Sequence, residues 1–515
     1  MTLLRNFATS TSVRATFRPL PEYQLKCGLE LHTQLKTKYK LFSLTPTSVI
    51  NSKPNSKVSY FDSGLPGTQP KLNPEALLLA LKTAVALNCD IARISSFDRK
   101  HYFYPDQPLG YQITQFYKPI ATGGELILKE PLDDIGLADN SVKSKRIRIQ
   151  QIQIEQDTGR SIYRKDGSIS VDLNRSNTPL IELVTLPDFE NIYQVRSFIK
   201  KYQQLVRYLG ICTGDLETGA IRVDVNVSIN NGERVEIKNL RNTTDIVQAI
   251  EYEYFRQVGL IKNGTPIQSQ ETRGWDGVQT NARRSKENAV DYRYFPDSEL
   301  PHIQLSSNIS EEIKNELPKL PSEIAMELLE PPFKLELKHI RYLIDNKVLL
   351  DYYMELHSIL THDHKLEGKF AGNWLFNNLL SSFKKARLEI TSNLNLVPVK
   401  QLSELVVGVV SGRVSKGNGK SILQSAIEGK QPIDKSISSL STSSQATASS
   451  IVLSHSQEEE LCSHIINTNP ETVEKIKSGK VGSIKYLIGM AMKQSSGKAS
   501  SKNLEQIFKN LLNIK

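Results

Sequence analysis

Alternating apolar and polar residues mark the segment on which most of the sequence analysis depends. Between residues 24 and 35, leucine and cysteine recur at every second position from Leu25 to Leu31. This period of two is typical of a half-buried β-strand. Glu30 and His32 are two residues apart, so their side chains leave the same face. A carboxylate beside an imidazole can bind a divalent cation or transfer a proton, although an ordinary polar strand face would show the same pattern.

Three later segments repeat this alternation and carry acidic residues on one face. Residues 146–160 change phase at Gln150–Gln151, as at a β-bulge. Residues 217–229 alternate regularly, and the dipeptide Asn231-Gly232 then predicts a hairpin to a strand over residues 234–242. Several acidic strand faces in one domain favour a cradle with a functional polar surface. The polar residues singled out on these strands are Glu155, Asp157, Arg222, Asp224, Asn226 and Lys238.

Other parts of the chain show a helical period. A helix is predicted over residues 74–87, where Pro74 suits the first turn. From about Ser306 apolar residues recur at helical spacing, and the Ser/Thr-rich residues 435–450 are typical of a linker. The predicted fold class is α+β. An antiparallel-sheet cradle domain over residues 22–305 is followed by a helical domain over 306–435 and a small helical tail over 451–515.

Size, charge and cysteine content restrict the function classes. The 515 residues predict two to four domains, and no apolar run is long enough to span a membrane. Four cysteines lie far apart without a CxxC pair, which argues against a disulfide framework or a zinc knuckle. The net charge of +10 suits a polyanionic partner such as nucleic acid, although many mitochondrial proteins are equally basic.

The N-terminal residues 1–21 have the composition of a mitochondrial transit peptide. They contain Arg5, Arg14 and Arg18 but no aspartate or glutamate, and serine and threonine are frequent. A disordered basic tail is the alternative interpretation. The sequence therefore predicts import into the mitochondrial matrix and removal or disorder of this segment.

Aromatic and cationic residues are interleaved over residues 97–120, with a shorter echo at residues 291–297. Such a pattern can stack bases and contact phosphates, or it can form a core with a basic rim. The candidates for nucleic-acid contacts in the first segment are Arg99, Lys100 and Tyr104.

The common nucleotide-binding signatures are absent. There is no GxGxxG, and Gly419-Lys420-Ser421 lacks the first glycine of a P-loop, because Val414 stands at that position.

Nine longer motifs occur in an order that resembles one family. They are CGLELHTQL, GLPGTQPKLN, FDRKHYFYPDQPLGYQITQ, VDLNRSNTPLIELV, RVDVNVS, EIKNL, QETRGWD, RSKE and DYRYFPD. On these motifs the chain resembles the GatB family, which belongs to the glutamyl-tRNA(Gln) amidotransferases. The resemblance runs from about Tyr23 to the C-terminus, where the tail is similar to the family's YqeY-type domain. The cationic N-terminus is similar to that of mitochondrial, fungal-type members.

The resemblance implies a specific activity. Members of this family use ATP and Mg²⁺ to phosphorylate the γ-carboxylate of glutamate on tRNA(Gln), and ammonia from a GatA-type amidase then displaces the phosphate. This chain has no amidase Ser-cisSer-Lys pattern, so a partner must make the ammonia. A third small subunit of the GatF or GatC type is also expected, and the sequence leaves this choice open.

Site residues follow from the motifs and the strand faces together. The expected catalytic residues are Glu30, His32, Glu155 and Asp157, and the expected Mg²⁺ ligands are Glu30, His32, Glu155 and Glu217. Expected contacts to substrate or tRNA are made by Arg99, Lys100, Tyr104, Arg175, Arg222, Asp224, Asn226, Lys238, Arg273, Lys480, Lys485 and Lys498.

The chain departs from the family pattern at three positions that bear on the metal site. Gln153 stands where the family usually has histidine, and Gln156 and Thr218 stand where it usually has glutamate. If a lost acid were a ligand, the site would be rearranged, and the chain could be a non-catalytic tRNA-binding scaffold. The paired Glu30 and His32 favour a catalytic role. The CxC and CxxC pairs that many members carry before GLPG are missing, which gives no support for a structural zinc.

Overall fold

The computed structural model describes residues 17–48, 51–136, 143–285, 291–436, 455–478, 481–495, 499 and 501–512. The chain divides into two compact units, one ending at Ala325 and one beginning at Met326. Each unit is described by itself.

The first unit is built on a mixed, mostly antiparallel sheet. Within the described residues it has ten strands: β1 (Leu25–Gln34), β2 (Asp90–Ile91), β6 (Ala121–Thr122), β7 (Glu125–Lys129), β8 (Ser144–Gln156), β11 (Pro179–Thr185), β12 (Ile221–Ile229), β13 (Val235–Leu240), β14 (Glu271–Trp275) and β15 (Thr280–Ser285). Their order is β15-β14-β13-β12-β1-β11-β8-β6-β2, and β7 pairs with β8. β13 and β14 run parallel, and the other neighbours run antiparallel. The strand predicted around Glu30 is therefore central.

Smaller sheets surround this one. The strands concerned are β3 (Ile94–Ser95), β4 (Asp98–His101), β5 (Tyr111–Thr114), β9 (Arg160–Tyr163), β10 (Ile169–Asp172), β16 (Phe295–Pro296) and β17 (Ile303–Gln304). β16, β4 and β5 form a three-stranded sheet, so the two aromatic segments singled out in the sequence meet. β9 pairs with β10, and β17 pairs with β3.

Five helices accompany the sheets in the described part of this unit: α1 (Pro74–Ala86), α2 (Ile192–Tyr208), α3 (Thr243–Lys262), α4 (Ile309–Glu316) and α5 (Pro321–Leu329), in which the division between the units falls. The predicted first helix is confirmed. Asn73 caps it by accepting the N–H of Glu75, and Pro74 opens it. Its buried side is formed mainly by alanines, and Leu78 is exposed.

The helices cover one face of the large sheet and leave the other open. In β12 every second residue from Ile221 to Ile229 is buried, and α3 contacts this strand. The intervening polar residues occupy the opposite face. The predicted bulge is present, since the register of β8 shifts between Gln151 and Ile149. The predicted hairpin is present too, with Asn230 and Asn231 both at positive φ.

The first core extends beyond the cradle boundary expected at residue 305. Ile313 of α4 is only 3% exposed and belongs to the same core as β1 and β12. α4 also contacts α1. Because this helix buries its apolar side in the first core, the compact unit continues to Ala325.

Phe17 anchors the chain ahead of the first strand. Its side chain is buried in the core, with ring centroids 5.4 Å from Tyr254 and 6.0 Å from Phe255. The backbone N–H of Leu20 donates to the Tyr254 hydroxyl, which in turn donates to the carbonyl of Tyr23. The expected transit peptide, residues 1–21, thus includes residues that pack on α3, while residues 1–16 lie outside the described range. The import function stays a prediction, and the packing favours an end of any removed segment before Phe17.

We therefore expect Phe17→Ala to lower the free energy of unfolding of the first unit by about 3 kcal/mol, because it leaves a cavity against two rings. Urea titration followed by tyrosine fluorescence measures this. A chain starting at Phe17 should match the full chain in stability, and a chain starting at Glu22 should resemble the alanine variant. Equal stability of all four proteins would contradict the anchoring role.

The second unit is helical in its described residues. Its helices are α6 (Leu337–Ile344), α7 (Lys347–Ser358), α8 (Lys369–Asn373), α9 (Leu380–Ala386), α10 (Val399–Val410) and α11 (Lys416–Ile427), with π-helical turns at Ile359–Asp363 and Trp374–Leu379. Gly419, Lys420 and Ser421 lie inside α11, which agrees with rejecting a P-loop. The linker predicted at residues 435–450 lies almost entirely outside the described residues.

The tail has a small core of its own. Its helices are His455–Thr468, Pro470–Lys477, Ile484–Gln494 and Ser501–Leu511. Leu487, Leu504 and Phe508 are fully buried in it. Among the described residues, no helix is both long and apolar enough to span a membrane.

Candidate active site

The open face of the large sheet forms one wall of a cleft of about 450 Å³. The sheet contributes acidic and polar residues to it, and the segments of the two aromatic motifs contribute cationic and aromatic residues. The lining residues used below are Glu30, His32, Lys100, Phe116, Gln153, Glu155, Glu182, Arg234, Glu236, Lys238, Tyr292 and Tyr294.

Strand register brings distant residues together on this face. His32 of β1 lies opposite Glu182 of β11 on one side and Arg222 of β12 on the other. Glu182 in turn lies opposite Gln153 of β8. One row further along, Glu30 lies opposite Asp224. Side chains directly opposite each other on one face of a sheet are close enough to interact, so these rows define the site.

The first cluster of possible metal ligands consists of His32, Glu155 and Glu182. One donor atom from each lies within 4.8 Å of the others, and His32 Nε2 is 3.8 Å from Glu155 Oε1. Burial raises the pKa of Glu155, and the neighbouring Glu182 raises it further. Burial also raises the pKa of Glu182, and the charge of Glu30 adds to this effect. A buried and a half-buried carboxylate side by side therefore favour a cation between them.

Protein groups partly balance this charge. Burial lowers the pKa of Lys100, but the nearby carboxylates of Glu155 and Glu182 raise it, and the pKa is raised overall. Gln112 donates its amide to Glu155 at 2.7 Å, and the Gln153 amide donates to Glu182. These contacts hold both carboxylates in fixed positions.

The second cluster consists of Glu30, Asp224 and Glu236, whose donor atoms also lie within 4.8 Å of one another. Lys238 Nζ is 2.7 Å from Asp224 and 2.8 Å from Glu236. Asn226 donates its amide to Glu30 at 2.9 Å. Burial lowers the pKa of Lys238, but these two acids outweigh that effect and raise it overall. In this cluster the compensating cation is a lysine.

The donor set fits Mg²⁺. Magnesium takes carboxylate oxygens readily and keeps several waters, so a pair of carboxylates facing a cleft suits it better than a closed cage. Buried Glu155 and half-buried Glu182, with raised pKa values and His32 beside them, have the negative charge that such an ion would neutralise. Among the acids of the second cluster, Glu30 raises the pKa of Glu182 more than Asp224 does.

Asp157, expected to be catalytic, is held in an internal clamp. Its carboxylate accepts hydrogen bonds from the two terminal guanidinium nitrogens of Arg222, at 3.0 and 3.1 Å, and from the side-chain amide of Gln34 at 3.3 Å. Burial opposes ionisation of Asp157, but Arg222 and Arg175 hold its pKa below the ordinary value. Arg175 also donates to the carbonyls of Thr158 and Gly159. Asp157, Arg175 and Arg222 are thus occupied in joining strand ends, and none of the three lines the cleft.

Glu217, expected as a metal ligand, belongs to neither described cluster. It is exposed in the turn before β12, beside Thr218. The third member of the first cluster is Glu182, which lies opposite His32. The loss of an acid at 218 therefore does not touch the cleft. Gln156 is buried, and its side-chain oxygen accepts the N–H of Ile113, so it too lies outside the cleft lining.

Of the other residues expected to contact substrate or tRNA, some are held by protein partners and some lie away from the cleft. Arg99 is paired with Asp297 and packs over the ring of Tyr111, and Arg273 is bound to Thr280 and Glu271. Both are held by protein partners. Tyr104 is exposed outside the described cleft lining. Lys485 of the tail is exposed, whereas Lys480 and Lys498 lie outside the described residues.

Several residues of the cleft were not among the candidates from sequence. Glu182 and Glu236 occupy polar positions in strands whose residues alternate between apolar and polar, and this alternation is the sequence feature that could have identified them. Tyr292 and Tyr294 lie in the motif at residues 291–297, which the sequence linked to residues 97–120 only as an echo. Arg234 lies next to the predicted hairpin turn, and no sequence feature other than its charge indicates that it lines the cleft.

Comparison with known proteins shows the family of the chain. The model of the GatB/GatE catalytic domain matches residues 25–311, and that of the GatB domain matches residues 358–512. The chain belongs to the GatB family. This confirms the family resemblance, the α+β fold class and the assignment to the tRNA amidotransferases.

The relatives are fungal proteins, each named as the mitochondrial GatB component of a glutamyl-tRNA(Gln) amidotransferase. The chain is 53% identical to that of Scheffersomyces stipitis, over 100% of both chains. It is 51% identical to that of Debaryomyces hansenii, over 99% of both, and 48% identical to that of Clavispora lusitaniae, over 98% of this chain and 95% of the relative. The predicted mitochondrial location is confirmed.

Proposed function

We propose that this GatB-family chain activates glutamate carried by tRNA(Gln). The γ-phosphate of ATP is transferred to the side-chain carboxylate of the glutamyl ester, and ADP leaves. Ammonia then attacks the acyl phosphate, inorganic phosphate departs, and Gln-tRNA(Gln) is formed. A carboxylate is a poor acyl donor at neutral pH, so phosphorylation supplies the leaving group.

The adjoining carboxylate clusters in the cleft carry this proposal. Phosphoryl transfer depends on positioning and on charge neutralisation more than on covalent help from the protein. Bound Mg²⁺ would neutralise phosphate charge, held by His32, Glu155 and Glu182 with Glu30 beside them. A pure tRNA-binding scaffold gives no reason to place a second carboxylate and a histidine beside the buried Glu155, so the catalytic interpretation is the better supported one.

Cationic residues on the same walls suit the phosphates. Lys100 and Lys238 each lie beside a carboxylate pair, and Arg234 is exposed at the cleft. In this proposal Lys100 and Lys238 hold the carboxylates in place and face the transferred phosphoryl group, while Arg234 contacts a phosphate by its guanidinium.

Partners supply the remaining parts of the reaction. The chain shows no amidase signature, so a GatA-type amidase makes the ammonia from glutamine, and a third small subunit of the GatF or GatC type completes the complex. In the tail, Lys485 and the basic residues around it are proposed to contact the tRNA backbone. The relatives' names, which specify a component of an enzyme acting on glutamyl-tRNA(Gln), support this division of labour.

The decisive measurement is transfer of label from γ-³²P-ATP to Glu-tRNA(Gln) by the assembled complex without glutamine or ammonia. We expect acid-labile label on the RNA, which disappears when ammonia is added as Gln-tRNA(Gln) accumulates. The matched control is tRNA(Gln) charged with glutamine, which has no free carboxylate and should stay unlabelled. Unlabelled Glu-tRNA(Gln) in a complex that still forms Gln-tRNA(Gln) would contradict the intermediate.

A further inference from the structure

One side of the cleft is aromatic and has no role in the carboxylate chemistry. Phe116, Tyr292 and Tyr294 line it, and we call these three residues the aromatic wall. The rings of Phe116 and Tyr294 are stacked, with centroids 3.9 Å apart and planes inclined by 10°. The ring of Tyr292 lies 6.0 Å from that of Tyr294. The wall is therefore a continuous aromatic surface facing a polar sheet.

Hydrogen bonds hold the two segments that carry the wall. The N–H of His101 donates to the carbonyl of Tyr292 at 2.8 Å, and the Tyr117 hydroxyl donates to the carbonyl of Tyr294 at 3.3 Å. The N–H of Tyr117, next to Phe116, donates to the buried Asp98 at 2.9 Å. Both segments that carry the wall are thus held by hydrogen bonds within the protein, as expected of a preorganised binding surface.

Part of this surface is open to solvent. Phe116 is 48% exposed although its ring is already stacked on one side. Lys100 Nζ lies 4.9 Å from the centre of the Tyr292 ring, so a cation stands between the aromatic wall and the carboxylates. A ligand that suits these surroundings has a flat π-system at one end and anionic groups at the other. Nucleotides have this construction, and aromatic side chains stack on bases with a useful gain in affinity.

We propose that the aromatic wall stacks against an adenine ring, with Phe116 as the residue that covers it. The inference rests on the proposed function, since both of its substrates present adenine: ATP carries it as its base, and the 3′-terminal nucleotide of tRNA is an adenosine. Either source places anionic groups toward Lys100 and the carboxylate clusters.

The test uses Phe116→Leu in the assembled complex, because leucine keeps an apolar side chain and removes the π face. Dissociation constants are measured for four probes: ATP, tripolyphosphate, an RNA minihelix ending in CCA and the same minihelix ending in CC. Phe116→Leu should weaken one adenine-bearing probe about tenfold, which corresponds to about 1.4 kcal/mol, and leave the two probes without adenine unchanged.

The probes separate the two sources. Weakened ATP binding with unchanged minihelix binding assigns the base of ATP to the aromatic wall. Weakened binding of the CCA minihelix with unchanged ATP binding assigns the terminal adenosine. The control variant is Phe103→Leu, which makes the same change at an exposed aromatic residue outside the described cleft lining and should bind all four probes like the wild type.

Unchanged binding of all four probes would overturn the inference, and so would an equal loss for tripolyphosphate and ATP. Because binding requires no turnover, the result is independent of phosphoryl transfer. If the complex with Phe116→Leu transfers phosphate and binds every probe normally, the adenine contact is refuted and the proposed function stands. If the wild-type complex transfers no phosphate but Phe116→Leu still weakens binding of an adenine-bearing probe, the adenine contact stands and the proposed function is refuted.

Discussion

Replacing Glu182 by glutamine is expected to lower the rate of γ-phosphate transfer from ATP to Glu-tRNA(Gln) by at least about a hundredfold. The variant keeps the shape of the side chain and removes the half-buried carboxylate that lies with buried Glu155 beside His32. Neutralisation of phosphate charge by a bound cation contributes several kcal/mol, and each 1.36 kcal/mol changes the rate about tenfold. Single-turnover transfer of ³²P by the assembled complex, at saturating ATP, measures the effect.

The matched control is Glu217→Gln, which makes the same chemical change at an exposed acid outside both described clusters. It should transfer phosphate at the wild-type rate. Glu30→Gln and His32→Ala should be impaired like Glu182→Gln, and all three variants should keep the glutaminase activity of the complex. Wild-type transfer by Glu182→Gln, or a loss with Glu217→Gln of similar size, would contradict the assignment.

The same cluster determines the expected pH dependence. Burial and the neighbouring Glu182 raise the pKa of Glu155, so it takes up a proton at a higher pH than an exposed glutamate does. The ionised form is the one that binds a cation. Activity that needs ionised Glu155 is therefore complete above this raised pKa and is lost as the pH falls through it. Glu182→Gln removes one cause of the shift and should move the acidic limb of the pH profile of transfer to lower pH.

Asp62→Asn is expected to destabilise the first unit by about 3 kcal/mol. Asp62 and Lys40 form an ion pair at 2.9 Å in which both side chains are fully buried. Asp62 also accepts hydrogen bonds from the Asn177 amide and the Ser59 backbone N–H, which fastens the segment between β1 and α1. The variant leaves the Lys40 ammonium without its counterion. Calorimetric melting of the full chain, followed for the transition of this unit, measures the change.

The pH dependence of this variant has a definite sign. Burial lowers the pKa of Lys40 from its ordinary value of 10.5, and Asp62 opposes that effect. Without Asp62 the pKa of Lys40 in the folded state falls further. At pH values between that lowered pKa and 10.5, the unfolded chain therefore binds more protons than the folded chain. The stability of the variant therefore rises with pH in this window. The control is Asp134→Asn, which breaks a half-exposed pair with Arg196 and should change stability by less than about 1 kcal/mol. Equal effects of both substitutions would refute the role of the buried pair.

The sequence alone was sufficient for the local structure around the site. Alternation predicted the strand of Glu30 and His32, the dipeptide Asn231-Gly232 predicted the hairpin, and the phase change at residue 150 predicted the bulge. These features depend on contacts between near neighbours in the chain, so a single sequence contains the necessary information. The family resemblance has the same origin, since its motifs are short continuous segments.

Only the tertiary structure decided which acidic residues meet. Glu155 stands near the end of one polar strand pattern and Glu217 at the start of another, yet Glu155 is buried beside His32 and Glu217 is exposed in a turn. Asp157 looked equivalent to Glu155, and two arginines from other segments occupy it. Alternation fixes the face of a side chain, but strand order and register fix its neighbours, and these are set by pairings more than a hundred residues apart in sequence, as between His32 and Glu182. The membership of the site could therefore be read only from the tertiary structure, in which β1, β8 and β11 lie side by side.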